Sequence, residues 1–212
     1  MSSTTEVPTR LRILYASAEL FRRQGYAGTG LKQIAAESEA TLGSVYHYFP
    51  GGKQHLADDV LRAGGEFFLA LYEAIAAEAP DLPSTVGDFF AGAAQTLFAT
   101  DYADACPIAT VAGEIASTHE VLRVAAADVF ESWLAALAED AVEAGISVER
   151  ARRLAEAVLA LLEGAFLLSR TLRSVEPMSA CREAAVALVA AELAAGAATG
   201  LAADETDRET RP

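Results

Sequence analysis

Between residues 9 and 52 the helical pattern of the chain is broken three times, and this punctuation constrains the fold more than any other feature. Ile13, Ser17, Leu20 and Phe21 follow the spacing of one helical face, and Gly25 comes next, in a C-terminal position that tolerates positive φ. The spacing predicts a first helix over residues 9–24. Leu31, Ile34 and Ala35 mark a short second helix, beginning near Thr29 as N-cap and ending around Ser38. Thr41 can cap a third, in which Val45 and Phe49 stand one turn apart facing inward, before Pro50-Gly51-Gly52 ends it. Two short helices that meet at a turn of about three residues cross one another. Leu42, Gly43, Ser44, His47 and part of Tyr48 then project outward.

From residue 53 the predicted helices lengthen, over roughly 53–78, 84–100, 107–116, 120–144, 148–173 and 179–198. Pro80 and Pro83 punctuate one junction and Pro107 opens the next helix. Ser117 and Glu120 have capping-box spacing, Gly145 closes one helix, and Ser147 caps its successor. The expected fold is all-α, with about nine helices: an N-terminal three-helix helix-turn-helix head over 1–52, a larger C-terminal helical bundle over 53–203, and a frayed tail over 204–212. An abundance of Ala, Leu, Glu and Arg favours helices, and 212 residues suffice for a core without disulfides or metals.

No apolar run reaches the roughly 18 residues that span a bilayer, so no membrane partner is expected. The polar start, residues 1–12, lacks the apolar region of a signal peptide, which predicts a cytoplasmic location. Cys106 and Cys181 are far apart and outside any metal-ligand or redox spacing. A phosphate loop, a Gly-x-Ser-x-Gly elbow, a His-Glu-x-x-His helix and a Cys-x-x-Cys pair are all missing from the sequence, so no catalytic residue, metal or cofactor is called for. Cys106 before Pro107 reads as a small apolar filler at a helix start, with a nucleophile or thiol sensor as the alternative.

The formal net charge is −14, the wrong sign for a partner of nucleic acid, until the chain is divided after residue 57. Residues 1–57 hold six cations against four anions, and the remainder holds ten against twenty-six. A small segment able to approach a polyanion is thus mounted on a body that phosphate repels. An ordinary solvated surface fits the same charges.

The outward residues of the third helix suit a major groove, which admits an α-helix. Gly43 has no Cβ to hold a phosphate or base away. Thr41 and Ser44 bring hydroxyls, Tyr46, His47 and Tyr48 bring polar aromatic tips, and Lys32 and Lys53 bring point charges for phosphates. In isolation the aromatic trio fits packing on the first helix equally well. At this point the sequence resembles the TetR family of bacterial transcriptional regulators. The resemblance spans about residues 13–56 and rests on Leu20-Phe21-Arg22-Arg23-Gln24-Gly25-Tyr26, the Ile34-Ala35 pair, and Gly43-Ser44-Val45-Tyr46-His47-Tyr48-Phe49.

What the resemblance implies is a homodimer whose heads bind a palindromic double-stranded DNA operator, with a variable helical body that dimerises and holds a small-molecule inducer. Carried over by position, Lys32 contacts base or backbone from the second helix, and Thr41, Leu42, Gly43 and Ser44 open the recognition helix. Tyr46, His47 and Tyr48 are its reading and phosphate-contacting positions, and Lys53 is the phosphate-binding lysine at the start of the fourth helix. Glu39 departs from the family, which usually has Gly in the turn; a residue with a Cβ is strained at positive φ, and Glu39 sets an anion near DNA. The Pro50-Gly51-Gly52-Lys53 spacing, one residue longer than the commonest, together with Ala105-Cys106-Pro107-Ile108-Ala109, resembles the LmrA/YxaF-like subgroup, whose members are often repressors of drug-efflux genes. The implied function is a ligand-responsive repressor released by a small apolar inducer.

In the body, Phe89, Phe98, Trp133, Glu163 and Phe166 are the candidate ligand-binding residues, since a polar group among aromatics would orient an inducer. Packing in the core is the other reading of the same side chains, and an exposed site is the other reading of Glu163. The candidate dimer interface is a stripe of Val158, Leu161, Leu162, Ala165 and Leu168 beside a second of Val186, Val189, Ala190 and Leu193, two copies of which would make a four-helix bundle. Burial within one monomer fits the same spacing. Two rivals to the whole reading are a helical enzyme or carrier that uses the aromatic body, and a protein-interaction bundle that docks residues 42–48 on a partner helix.

Overall fold

The computed structural model describes residues 7–103 and 105–209, with side chains as far as Ala197. Among the described residues there are nine helices and no strand: α1 (Thr9–Gln24), α2 (Leu31–Glu37), α3 (Leu42–Tyr48), α4 (Gly52–Glu78), α5 (Leu82–Ala99), α6 (Pro107–Ile115), α7 (Glu120–Glu143), α8 (Val148–Leu172) and α9 (Glu176–Glu209). The all-α expectation holds. The tail expected from residue 204 is drawn as a continuation of α9 to Glu209, and residues 210–212 lie outside the described residues.

Several helix ends differ from the sequence reading, each for a local reason. α2 starts at Leu31, because the Thr29 hydroxyl donates to the Gly25 carbonyl at 2.7 Å and closes the preceding loop instead of capping the helix. α5 starts at Leu82, since the Asp81 carboxylate accepts the Ser84 N–H at 2.9 Å and Pro83 fits the first turn, where its missing donor is not needed. α7 begins at Glu120, as expected, but a capping box from Ser117 would start the helix two residues earlier; Glu120 instead pairs with Arg123 at 2.7 Å. Ser147 occupies the N-cap of α8, but its side chain caps no N–H.

Packing divides the helices into two units. One runs through Phe68 and takes in Ala103–Phe130; the other comprises Leu69–Tyr102 and the residues from Glu131 onward. The division does not follow the boundary expected after residue 52, because α6 packs on α1. In the first unit Ile13, Phe21, Ile34, Val45, Phe49, Leu56, Leu61, Ile108 and Ile115 are shielded from solvent. Burying such a side chain contributes about 1.5–3 kcal/mol. α2 and α3 have seven residues each, below the roughly 12–15 at which a helix persists alone, so this burial is what makes them helical.

In the second unit Leu82, Val86, Phe90 and Leu97 of α5 meet Leu154, Val158, Leu162 and Ala165 of α8 and Met178, Ala185 and Val189 of α9. Small residues set the spacing of α9. A Cβ on Gly196 would sit 2.9 Å from the Gly145 carbonyl oxygen, and one on Gly87 would touch Val186 at 3.4 Å. Arg182 donates to the Gly87 carbonyl at 2.8 Å, and Arg150 of α8 pairs with Glu192.

Candidate nucleic-acid interface

The turn before α3 is built from the end of α2. The Ala40 N–H reaches back to the Ala35 carbonyl at 2.9 Å and the Glu39 N–H to the Ala36 carbonyl at 3.2 Å, the two bonds of a Schellman closure. That closure needs a left-handed residue, and Glu39 supplies it at φ 51°. Glutamate thus takes the strained conformation, and the turn keeps its shape. Thr41 then caps α3 as expected, its Oγ1 accepting the Ser44 N–H at 3.0 Å.

Val45 and Phe49 are fully buried, which fixes the roll of α3. Thr41, Leu42, Gly43, Tyr46, His47 and Tyr48 are exposed and Ser44 is half-buried, so Val45 and Phe49 alone turn fully inward in this segment. Thr41 Oγ1 and Ser44 Oγ lie 2.9 Å apart; one hydroxyl proton bridges them and the other is left for an external acceptor. The His47 and Tyr48 rings meet edge to face at 4.9 Å. Gly43 is unusual for a helix: a Cβ there would meet nothing closer than Thr41 Oγ1 at 3.6 Å. Glycine inside a helix costs about 0.5–1 kcal/mol relative to alanine, and packing within the protein gives no reason to bear it.

Lys32 stands exposed on α2. Lys53 does not extend into solvent as a bare point charge: its ammonium lies 4.2 Å from the centre of the Tyr26 ring, and burial there pulls it below the usual lysine value against the opposing pull of Glu114. Tyr26 is buried, 5.8 Å from the Phe21 ring and edge-on to His119 at 5.2 Å, and this burial pushes its phenol up. The Glu114 carboxylate of α6 accepts the Ala27 N–H at 2.8 Å. Sequence reading missed Tyr26, Glu114 and His119 as neighbours of Lys53, because nothing local pairs α6 with the loop after α1.

The candidates in the body divide by helix face. Phe89, Trp133, Glu163 and Phe166 are half-buried, with Phe89 and Phe166 packed on the core of the second unit. Phe98 is 72% exposed: Leu97 takes the inward face of α5 and turns its neighbour out to solvent. The Tyr72 ring lies 6.1 Å from that of Phe89, and its hydroxyl donates to Asp140 at 2.6 Å, a half-buried polar pair that the sequence did not single out. Of the expected dimer residues, Val158, Leu162, Ala165 and Val189 are buried in the protomer's own core, since α5 and α9 occupy that face of α8. Leu161, Val186 and Leu193 are half-buried, and Leu168 and Ala190 are exposed.

Residues 13–60 match the description of bacterial regulatory proteins of the tetR family, and residues 84–184 match that of the transcriptional regulator LmrA/YxaF-like C-terminal domain. The chain is 33% identical over 175 residues to the uncharacterized HTH-type transcriptional regulator YxaF of Bacillus subtilis, covering 82% of this chain and 92% of that one. It is 32% identical over 170 residues to the HTH-type transcriptional regulator LmrA of the same organism, covering 80% and 90%. Among solved structures, a TetR transcriptional regulator from Legionella pneumophila superposes with a TM-score of 0.78 at 21% identity, over 86% of this chain and 97% of that one. The family models and these relatives thus place the chain among helix-turn-helix, DNA-binding regulators of transcription. The chain belongs to the TetR family, with a body of the LmrA/YxaF-like kind.

No helix among the described residues is long and apolar enough to cross a membrane.

Proposed function

We propose that this regulator is a homodimeric cytoplasmic repressor that binds a palindromic operator through α3 and is released by a small apolar inducer held in its helical body. The observation that carries the reading is Gly43: an exposed helical glycine, unneeded by its own protein, lowers the surface of α3 where a base edge or phosphate approaches. Thr41, Leu42, Ser44, Tyr46, His47 and Tyr48 surround that low point, with Lys32 and Lys53 as the phosphate contacts. In a twofold dimer the two recognition helices enter successive major grooves about 34–36 Å apart.

The outer face of α8 and α9 supports the dimer. Ala160, Leu167, Leu168 and Leu172 of α8, with Ala187, Ala190, Ala191 and Ala194 of α9, are exposed and apolar, and their small residues allow close helix approach. Phe89, Trp133, Glu163 and Phe166 are the residues for the inducer, with the Tyr72–Asp140 pair as a polar anchor beside Phe89. An inducer that prefers a head separation unlike the DNA-bound one shifts the population away from the operator.

Titrating salt against duplex affinity tests the reading. Affinity falls steeply as counterions are restored, and Lys53→Ala lowers the slope of log affinity against log salt by about one. Association with duplex that is insensitive to salt would overturn it.

A further inference from the structure

We propose that Glu114 on α6 is a positioning residue for DNA binding: by gripping the loop after α1 it holds Tyr26 as a seat for Lys53, and its charge adds to the hold on the Lys53 ammonium in the DNA-free protein. Engaging a phosphate then requires Lys53 to leave that seat. The inference rests on the reading of Lys53 as a phosphate contact.

Three contacts build the seat. The Glu114 carboxylate accepts the Ala27 N–H at 2.8 Å and presses so closely on Gly25 that a Cβ there would come within 1.7 Å of Oε1. Between these two residues in the chain, Tyr26 packs against the rings of Phe21 and His119. The Lys53 ammonium lies over the Tyr26 ring, 4.2 Å from its centre. A lysine gives up water readily only against such a π-face or an opposite charge, and here it has the ring and the field of Glu114 together. Its four-carbon stem can swing to a phosphate at little steric cost, so what opposes the swing is the attraction of the seat. α6 lies far from the head in sequence yet packs on α1, which makes the placement of Glu114 a means of tuning duplex affinity.

The test is a double-mutant cycle, read by fluorescence anisotropy on a labelled mixed-sequence duplex of about 30 base pairs at low salt. Glu114→Gln keeps an acceptor for the Ala27 N–H and removes the charge. It tightens binding about two- to fivefold, the scale of one exposed ion pair, and the gain disappears in a Lys53→Ala background. An equal gain in that background marks a general charge effect and overturns the proposal, as does no gain at all. If Lys53→Ala leaves both affinity and salt slope unchanged, the phosphate-contact reading itself falls, and the proposal with it. A direct readout exists because Lys32 and Lys53 are the chain's only lysines. In a ¹³C-lysine spectrum the Lys53 ε-methylene protons lie upfield of those of Lys32, shifted by the Tyr26 ring current, and they move toward the Lys32 position when duplex is added. Coincident signals in the free protein overturn the seat.

Discussion

Glu39→Gly separates what the turn before α3 costs from what it does. Glu39 sits at φ 51° because the Schellman closure at the end of α2 demands a left-handed residue. For a residue with a Cβ that conformation costs about 1–2 kcal/mol, and glycine gives back roughly 0.4–1 kcal/mol through the greater freedom of its unfolded chain. The carboxylate follows α2, whose C-terminal dipole repels it, and precedes α3, whose N-terminal dipole attracts it, so the backbone decides the balance. Glu39→Gly therefore stabilises by about 0.5–1 kcal/mol, raising Tm by roughly 1–4 °C in a chain of this size. It also removes an anion beside the recognition helix and tightens binding to a mixed-sequence duplex by about two- to fivefold at low ionic strength, with the gain fading as salt is added. Glu39→Gln is the control: it tightens binding without raising Tm. Thermal unfolding followed by circular dichroism, with anisotropy on the same samples, reads both. A lower Tm for Glu39→Gly would refute the strain argument, and unchanged duplex affinity for both variants would refute the placement of this turn against DNA.

Gly43→Ala works in the opposite sense, gaining about 0.5–1 kcal/mol in chemical denaturation while weakening duplex binding; a variant that gains stability and keeps its affinity removes Gly43 from the interface. Gly25 lies at φ 76° and ψ 173°, a region almost closed to other residues, and faces Glu114, so Gly25→Ala costs at least about 1–3 kcal/mol in the same measurement. His47→Ala and Ser44→Ala alter preference among sequences in a selection from a random duplex library, where Lys53→Ala weakens all of them alike. If the proposed dimer pairs through the exposed face of α8, Leu168→Arg yields monomers by analytical ultracentrifugation with the helical spectrum retained; a dimer that persists would move the interface elsewhere.

Much of the fold was legible because its signals are local. Gly25 and Pro50-Gly51-Gly52 stop helices wherever they occur, and Val45 with Phe49 needs only 3.6 residues per turn to define an inside, so α1, α3 and the outward face of α3 follow from short windows of sequence. Thr29 was misread because a hydroxyl before a helix has two acceptable uses, and only the position of the Gly25 carbonyl selects between them. The spacing expected to form a dimer surface on α8 and α9 is apolar, yet apolarity does not say whether the covering surface is the same chain or another; Val158 and Val189 are covered by their own chain. The surroundings of Tyr26 are not legible in the sequence, since they come from the loop after α1, from α4 and α6, and from the residue before α7, and no periodicity links residues 26, 53, 114 and 119.

The glycine at 196 has a consequence for how α9 finds its place. A helix this rich in alanine offers nearly the same profile after sliding by one turn, so hydrophobic burial alone discriminates poorly between neighbouring placements. The contact of Gly196 with the Gly145 carbonyl, the Arg150–Glu192 pair and the Arg182 bond to Gly87 act as detents along its length. Filling or removing them would cost less in cohesion than in singularity: the chain would still collapse, but into several frames that each turn a different row of alanines outward.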